Sequence, residues 1–128
     1  MNLLLDTHIA LWAITDHPSL GHTAREWIGN PRNTVWVSTA SLWEIAIKYR
    51  LDRSGMPVSA REALDYFQRS GYRLLPIEPE HTLALETLPP HHQDPFDRLL
   101  VAQALTEPMR LITHDTHVAR YSDTIVFV

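Results

Sequence analysis

No cysteine occurs among the 128 residues. That absence excludes a disulfide scaffold and any thiolate-ligated metal, and it fits a reducing compartment. Long apolar runs are also missing. The longest, Ile9–Ile14, falls far short of the about 20 residues that a membrane-spanning helix needs. No basic leader precedes Leu3–Leu5, and Asp6 ends that run too early for a secretion signal. These gaps set the expectation of a cytoplasmic protein without membrane association. Lysine is nearly absent: Lys48 stands against ten arginines. The guanidinium fork suits phosphates and bases, but protein interfaces use it as readily. Linkers, internal repeats and low-complexity segments are absent, so residues 1–128 are expected to form one domain. With 45% hydrophobic and 20% charged residues, the composition is that of an ordinary globular protein rather than a disordered one.

What is present reads as short apolar strands alternating with helices. The expected strands are Asn2–Leu5, Thr34–Val37, Tyr72–Ile77, Arg110–Thr113 and Thr124–Val128. Between them the apolar periodicity predicts helices over His8–Ile14, Pro18–Ile28, Ser41–Leu51, Ser59–Arg69, Pro79–Leu88 and Pro95–Leu105. Leu42, Ile45, Ala46 and Tyr49 share one stripe of the third. This alternation predicts an α/β fold, a mostly parallel sheet of about five strands with helices on both faces. Such sheets gather functional groups at the carboxyl ends of their strands.

That rule steers four acids to one rim. Asp6 follows the first strand directly, and Asp115 lies just past the Arg110–Thr113 strand. Glu44 is expected in the first turn of the helix after the second strand. Asp97 opens the helix that runs back antiparallel to Arg110–Thr113. Each acid also has a purely structural explanation. Asp6 and Asp115 can cap the helices that follow them; Ser41-x-x-Glu44 matches a capping box; Asp94-Pro95-Phe96-Asp97 is a well-formed helix start. Convergence is what separates the two explanations. Two carboxylates about 4 Å apart repel by roughly 4 kcal/mol at an effective dielectric near 20. A proton, an arginine or a metal must offset this, and an all-oxygen set suits Mg²⁺ or Mn²⁺ rather than zinc. The net charge of −4 looks unsuited to nucleic acid, but setting four metal-bound acids aside leaves the remainder neutral.

Four segments carry a resemblance. Leu3-Leu4-Leu5-Asp6-Thr7-His8, Ser38-x-x-Ser41-x-x-Glu44-Ile45, Asp94-Pro95-Phe96-Asp97-Arg98-Leu99-Leu100-x-Ala102-Gln103-Ala104 and Ile112-Thr113-x-Asp115 resemble, in order, the motifs of PIN-domain ribonucleases. VapC-type toxins of bacterial toxin–antitoxin pairs are the nearest likeness. The resemblance implies a PIN-like fold and a Mg²⁺- or Mn²⁺-dependent endoribonuclease, a homodimer inhibited by a cognate antitoxin. By motif, Asp6, Glu44, Asp97 and Asp115 are then the catalytic and metal-binding quartet. Asp6 and Asp97 are the expected main ligands; Glu44 and Asp115 hold metal waters or orient the nucleophile. Thr113, Asp94 and Arg98 are expected in support. The implied reaction is in-line attack of a metal-activated water on an RNA phosphodiester.

Two rival readings stand beside this one. A different metal-dependent phosphoester hydrolase could use the same acids, although Asp6 is followed by Thr7-His8 rather than by the second carboxylate of an Asp-x-Asp pair. A non-catalytic binding module would use the acids only as caps. The eight histidines show no zinc spacing; His114 and His117 flank Asp115, and His91-His92 precede Asp94. His8 and His81 read as surface or hydrogen-bonded helix residues, and Trp43 as a core or interface anchor. Lys48, Arg50 and Arg53 form a small basic group after Glu44, either a solvated helix end or a phosphate contact.

Overall fold

The computed structural model describes residues 1–51 and 55–128. Five strands, β1 (Asn2–Leu5), β2 (Thr34–Ser38), β3 (Arg73–Leu75), β4 (Arg110–Thr113) and β5 (Val126–Phe127), form one sheet in the order β3-β2-β1-β4-β5. Every pairing is parallel. The helices are α1 (Thr7–Thr15), α2 (His22–Gly29), α3 (Thr39–Arg50), α4 (Ala60–Arg69), α5 (Pro79–Ala84), α6 (Pro95–Thr106) and α7 (Thr116–Ala119). None of the described helices is long and apolar enough to cross a membrane.

The alternation of side chains along β1 divides the core in two. Leu3 and Leu5 pack with Val35, Val37 and Ile112 against Ile9, Ala24, Ala63 and Phe67 of α1, α2 and α4. Leu4 packs on the opposite face with Leu111 against Leu100, Val101 and Ala104 of α6 and Val118 of α7. Central β1 is therefore apolar on both faces, as a strand buried by helices on each side must be. Consecutive strands move outward from β1 in opposite directions, so the crevice between the carboxyl ends of β1 and β4 is the topological switch point.

Local chemistry sets the element ends, and it corrects several expected boundaries. Helix α2 begins at His22 rather than Pro18, because residues 18–20 form a turn held by Arg25, whose Nε donates to Leu20 O at 2.8 Å. Strand β3 stops at Leu75, since Pro76 has no N–H for the ladder. The expected Pro79–Leu88 helix divides into α5 and a 3₁₀ turn at Leu85–Thr87. Strand β5 keeps only Val126–Phe127 of Thr124–Val128, as Thr124 belongs to a turn in which its N–H donates to Ser122 Oγ. Helix α1 ends at Asp16, the one non-glycine residue with positive φ (51°) among the described residues.

Helix α3 begins earlier than its sequence suggests. Ser38, not Ser41, is the cap and accepts from the Ala40 N–H at 3.0 Å. Ser41 instead lies inside the helix, where it accepts from Thr7 Oγ1 at 2.9 Å and ties α3 to α1. The buried face of α3 consequently runs through Ala40, Ser41, Glu44 and Ile45, while Ala46 and Tyr49 of the expected stripe are exposed.

Phe67 is fully buried in the larger core. Phe67→Ala is expected to lower unfolding free energy by about 3–5 kcal/mol, read from denaturant titration followed by circular dichroism.

Candidate active site

Asp6 leaves β1 at the switch point and does two jobs. Its Oδ1 accepts from the Ile9 N–H at 2.9 Å, capping α1. Its Oδ2 accepts from Thr113 Oγ1 at the end of β4, at 2.5 Å. Only 5% of Asp6 is exposed. Burial pushes its carboxyl above the ordinary range, with Glu44 adding repulsion, while the Thr113 and Ile9 bonds pull the other way.

Asp115 is reached through the same threonine. Its N–H donates to Thr113 Oγ1 at 3.1 Å, and its Oδ1 caps α7 by accepting from the His117 N–H at 2.7 Å. Thr113 thus sets the positions of Asp6 and Asp115 with one hydroxyl. Asp94 caps α6, accepting from the Phe96 and Asp97 amides. One turn in, Asp97 points its Oδ2 at His92 Nε2, 2.8 Å away. The same Nε2 lies 3.6 Å from Asp115 Oδ2. A proton on that nitrogen would face both carboxylates.

Glu44 departs furthest from its expected place. It sits in the second turn of α3, does not complete a capping box, and is 3% exposed. Lys48 Nζ approaches its Oε2 at 2.6 Å. Among the described residues its buried Oε1 has no hydrogen-bond partner. Glu44 nevertheless stands near enough to Asp6 and Asp97 to raise both. Asp97 is pushed up to about 6, first by desolvation, then by repulsion from Asp94, Asp6 and Glu44, against the opposing bond from His92.

Asp6, Asp94, Asp97 and Asp115 share a cavity of about 500 Å³ with His92 and Thr116. Glu44 does not line it. One ligand atom each from His92, Asp94 and Asp97 falls within 4.8 Å of the others. A hard divalent cation fits the acids gathered here: carboxylate oxygens dominate, and the mutual repulsion that raises Asp97 shows the site short of positive charge.

Arg98, expected in support, reaches the site only through a loop. Its guanidinium donates to Pro89 O and Tyr121 Oη, each at 3.0 Å, and to Leu88 O at 3.3 Å. It braces the 88–92 loop and so supports the site at one remove. His92 is the residue that sequence reasoning left without a role. Its N–H also donates to Tyr121 Oη at 3.0 Å, so the ring is held by the loop that Arg98 pins. Its position two residues before the α6 cap was the available signal. Of the remaining histidines, His81 is a buried partner of Glu107 at 2.5 Å. Trp43 is not a core residue: it is 56% exposed and meets Phe96 edge-on, with ring centroids 4.9 Å apart. Arg50 is exposed. Arg53 lies outside the described residues.

A family model for the PIN domain matches residues 3–123. No curated protein matches the sequence. Among solved structures, VapBC2 from Rickettsia felis, bound to a DNA fragment from its promoter, is similar with TM-score 0.70 and 22% identity, covering 100% of this chain and 98% of that chain. FitAcB from Neisseria gonorrhoeae is similar with TM-score 0.67 and 17% identity, covering 98% and 96%. DNA-bound VapBC from Salmonella typhimurium is similar with TM-score 0.68 and 15% identity, covering 100% and 97%. At these identities the likeness is one of fold.

The raised Asp97 carboxyl has a testable consequence for the metal-free protein. A carboxyl lifted from 3.8 to about 6 on folding adds stability that is complete below the unfolded value and is lost as pH rises through the folded one. The difference corresponds to roughly 3 kcal/mol. Asp97→Asn is therefore expected to be more stable than the parent at pH 7 in EDTA, with the advantage shrinking toward zero by pH 4. Paired urea titrations at the two pH values check it.

Proposed function

The chain belongs to the PIN-domain family, and from that premise we propose that it is a Mg²⁺- or Mn²⁺-dependent endoribonuclease serving as the toxin of a toxin–antitoxin pair. The observation that carries this reading is the gathering of Asp6, Asp97 and Asp115 at one cavity, with Glu44 near enough to raise Asp6 and Asp97. Capping does not compete with this role. Asp115 spends Oδ1 on backbone amides and leaves Oδ2 toward His92, so helix start and site share one carboxylate.

Asp6 and Asp97 are the residues that would hold the cation, with Asp115 and Glu44 beside them. When bound, the cation would supply positive charge for a phosphate oxygen and acidify a water. The chain's own groups do the rest. Thr113 fixes the free rotation of Asp6, and His92 holds Asp97. His92 Nε2, set between Asp97 and Asp115, offsets part of their repulsion when it donates to Asp97. Lys48 pairs directly with buried Glu44.

The partners proposed are an RNA substrate, a cognate antitoxin and a second copy of the chain. Exposed Trp43, Ile47 and Leu51 at and beyond the outer side of α3 give apolar area that suits a protein partner. The rival phosphoester hydrolase differs only in substrate, and the pure binding module differs in having no need of the cation.

RNA cleavage is expected with Mg²⁺ or Mn²⁺ and not in EDTA. Asp6→Asn and Asp97→Asn are expected to lose at least about 100-fold, more than the loss typical of an outer partner. Mg²⁺ at about 100 times its Kd is expected to stabilise the parent by about 2.7 kcal/mol and the variants by much less. Equal cleavage by parent and variants, or cleavage of DNA or small phosphoesters in preference to RNA, overturns the reading.

A further inference from the structure

A second cavity, of about 460 Å³, adjoins the first and shares His8 and Trp12 with it. These two residues lie one turn apart on α1, so they present one side of the helix to both spaces. Among the described residues, the rest of its lining mixes apolar Leu11, Met56 and Pro57 with polar Thr15, Asp16 and His17, and it includes the cation Lys48. Lys48 is also the partner of Glu44 at 2.6 Å, which places the cavity directly beside the acids.

Its distinguishing feature is a fixed aromatic platform. The rings of Trp12 and His17 stack with centroids 5.7 Å apart and planes 20° apart. The left-handed turn at Asp16 folds the chain back so that His17 covers Trp12. The turn is locked by Arg25, which pairs with Asp16 at 2.5 Å and donates to His17 O at 2.8 Å. The His17 ring is itself oriented, because its Nδ1 accepts from the Ser19 N–H at 3.0 Å. His17 is exposed to solvent, yet one hydrogen bond orients its ring and three from Arg25 hold the turn that carries it. On the other side, His114 meets Trp12 edge-on at 5.5 Å and lines the acidic cavity.

We propose that this second cavity is a nucleobase subsite, receiving one unpaired base of a single-stranded RNA whose backbone passes the carboxylates. The inference rests on the ribonuclease reading and adds to it where substrate specificity resides. Single-stranded RNA is recognised by splaying bases out onto aromatic faces, while a nearby cation meets the phosphate. A platform that is already stacked and pinned loses little entropy when a base joins it. Trp12 and His17 are binding groups here, with no part in bond cleavage.

The test uses the full chain in EDTA, so that binding is read without cleavage. The probes are a single-stranded RNA octamer of mixed sequence and an octamer of the same backbone lacking every base. Binding is read by fluorescence anisotropy and by quenching of tryptophan emission. The base-bearing octamer is expected to bind the parent roughly tenfold more tightly than the abasic one. Trp12→Leu is expected to abolish that preference and most of the quenching, and His17→Leu, at an exposed position, to reduce it. Asp97→Asn is expected to keep it. Equal binding of the two octamers by the parent overturns the subsite, as does a preference that survives Trp12→Leu in a folded variant, or no binding by either octamer. Metal-dependent RNA cleavage by the same preparations separates these results: where cleavage persists, the subsite fails alone and the ribonuclease reading stands.

Discussion

Mutual repulsion of carboxylates at the β1–β4 crevice is the constraint around which the rest of the molecule is arranged. Asp6 is nearly inaccessible, Glu44 is more so, and each raises the cost of ionising Asp97. A fold that needed only stability would not place them together, since unpaired buried charge is among the most expensive features a core can contain. The surrounding structure offsets that cost one oxygen at a time. Thr113 serves Asp6, His92 serves Asp97 and leans toward Asp115, and Lys48 serves Glu44. Among the described residues, Glu44 Oε1 is a buried carboxylate oxygen without a partner, and it marks what the protein alone does not supply.

The same arrangement explains why the framework behind the site is so apolar. β1 has parallel neighbours on both sides and helices over both faces, and three consecutive leucines fill it. The chain turns polar again just past the carboxyl end of the strand, at Asp6. The switch-point topology then fixes the site: β4 must lie beside β1, so Thr113 must lie beside Asp6. Few degrees of freedom remain for the acids, which limits how far they can relax away from each other.

Much of this was legible in the sequence because it depends on local pattern. The strands β1 and β4 have the expected limits, and Asp6, Asp97 and Asp115 follow from strand and helix order alone. What the sequence concealed depends on contacts between distant segments. Ser41 looked like a cap until Thr7, 34 residues earlier, claimed its hydroxyl. That tertiary bond frees Ser38 to begin α3 and turns Glu44 inward. Arg98 sits among acids in the sequence, yet its donors go to carbonyls of the 88–92 loop, and only that loop's folding brings His92 onto Asp97. The short β3 is a simpler case, in which the missing N–H of Pro76 overrode apolar periodicity.

Sharing carboxylates between caps and chemistry also governs how the site can be dissected. Removing the Asp6 side chain to Ala would take away the acceptor of the Ile9 amide as well as the charge, and a lost cap costs about 1 kcal/mol on its own. Asn retains a carbonyl oxygen for that amide while removing the charge. For Asp97, which caps nothing and instead has its own N–H satisfied by Asp94, the substitution isolates charge more cleanly still. Helix capping and the proposed cation binding are thus separable at Asp97 and entangled at Asp6 and Asp115. A site built at helix starts has this property by construction: the amides that fix each carboxylate in place also consume half of it, and only the remaining oxygens are available to a ligand.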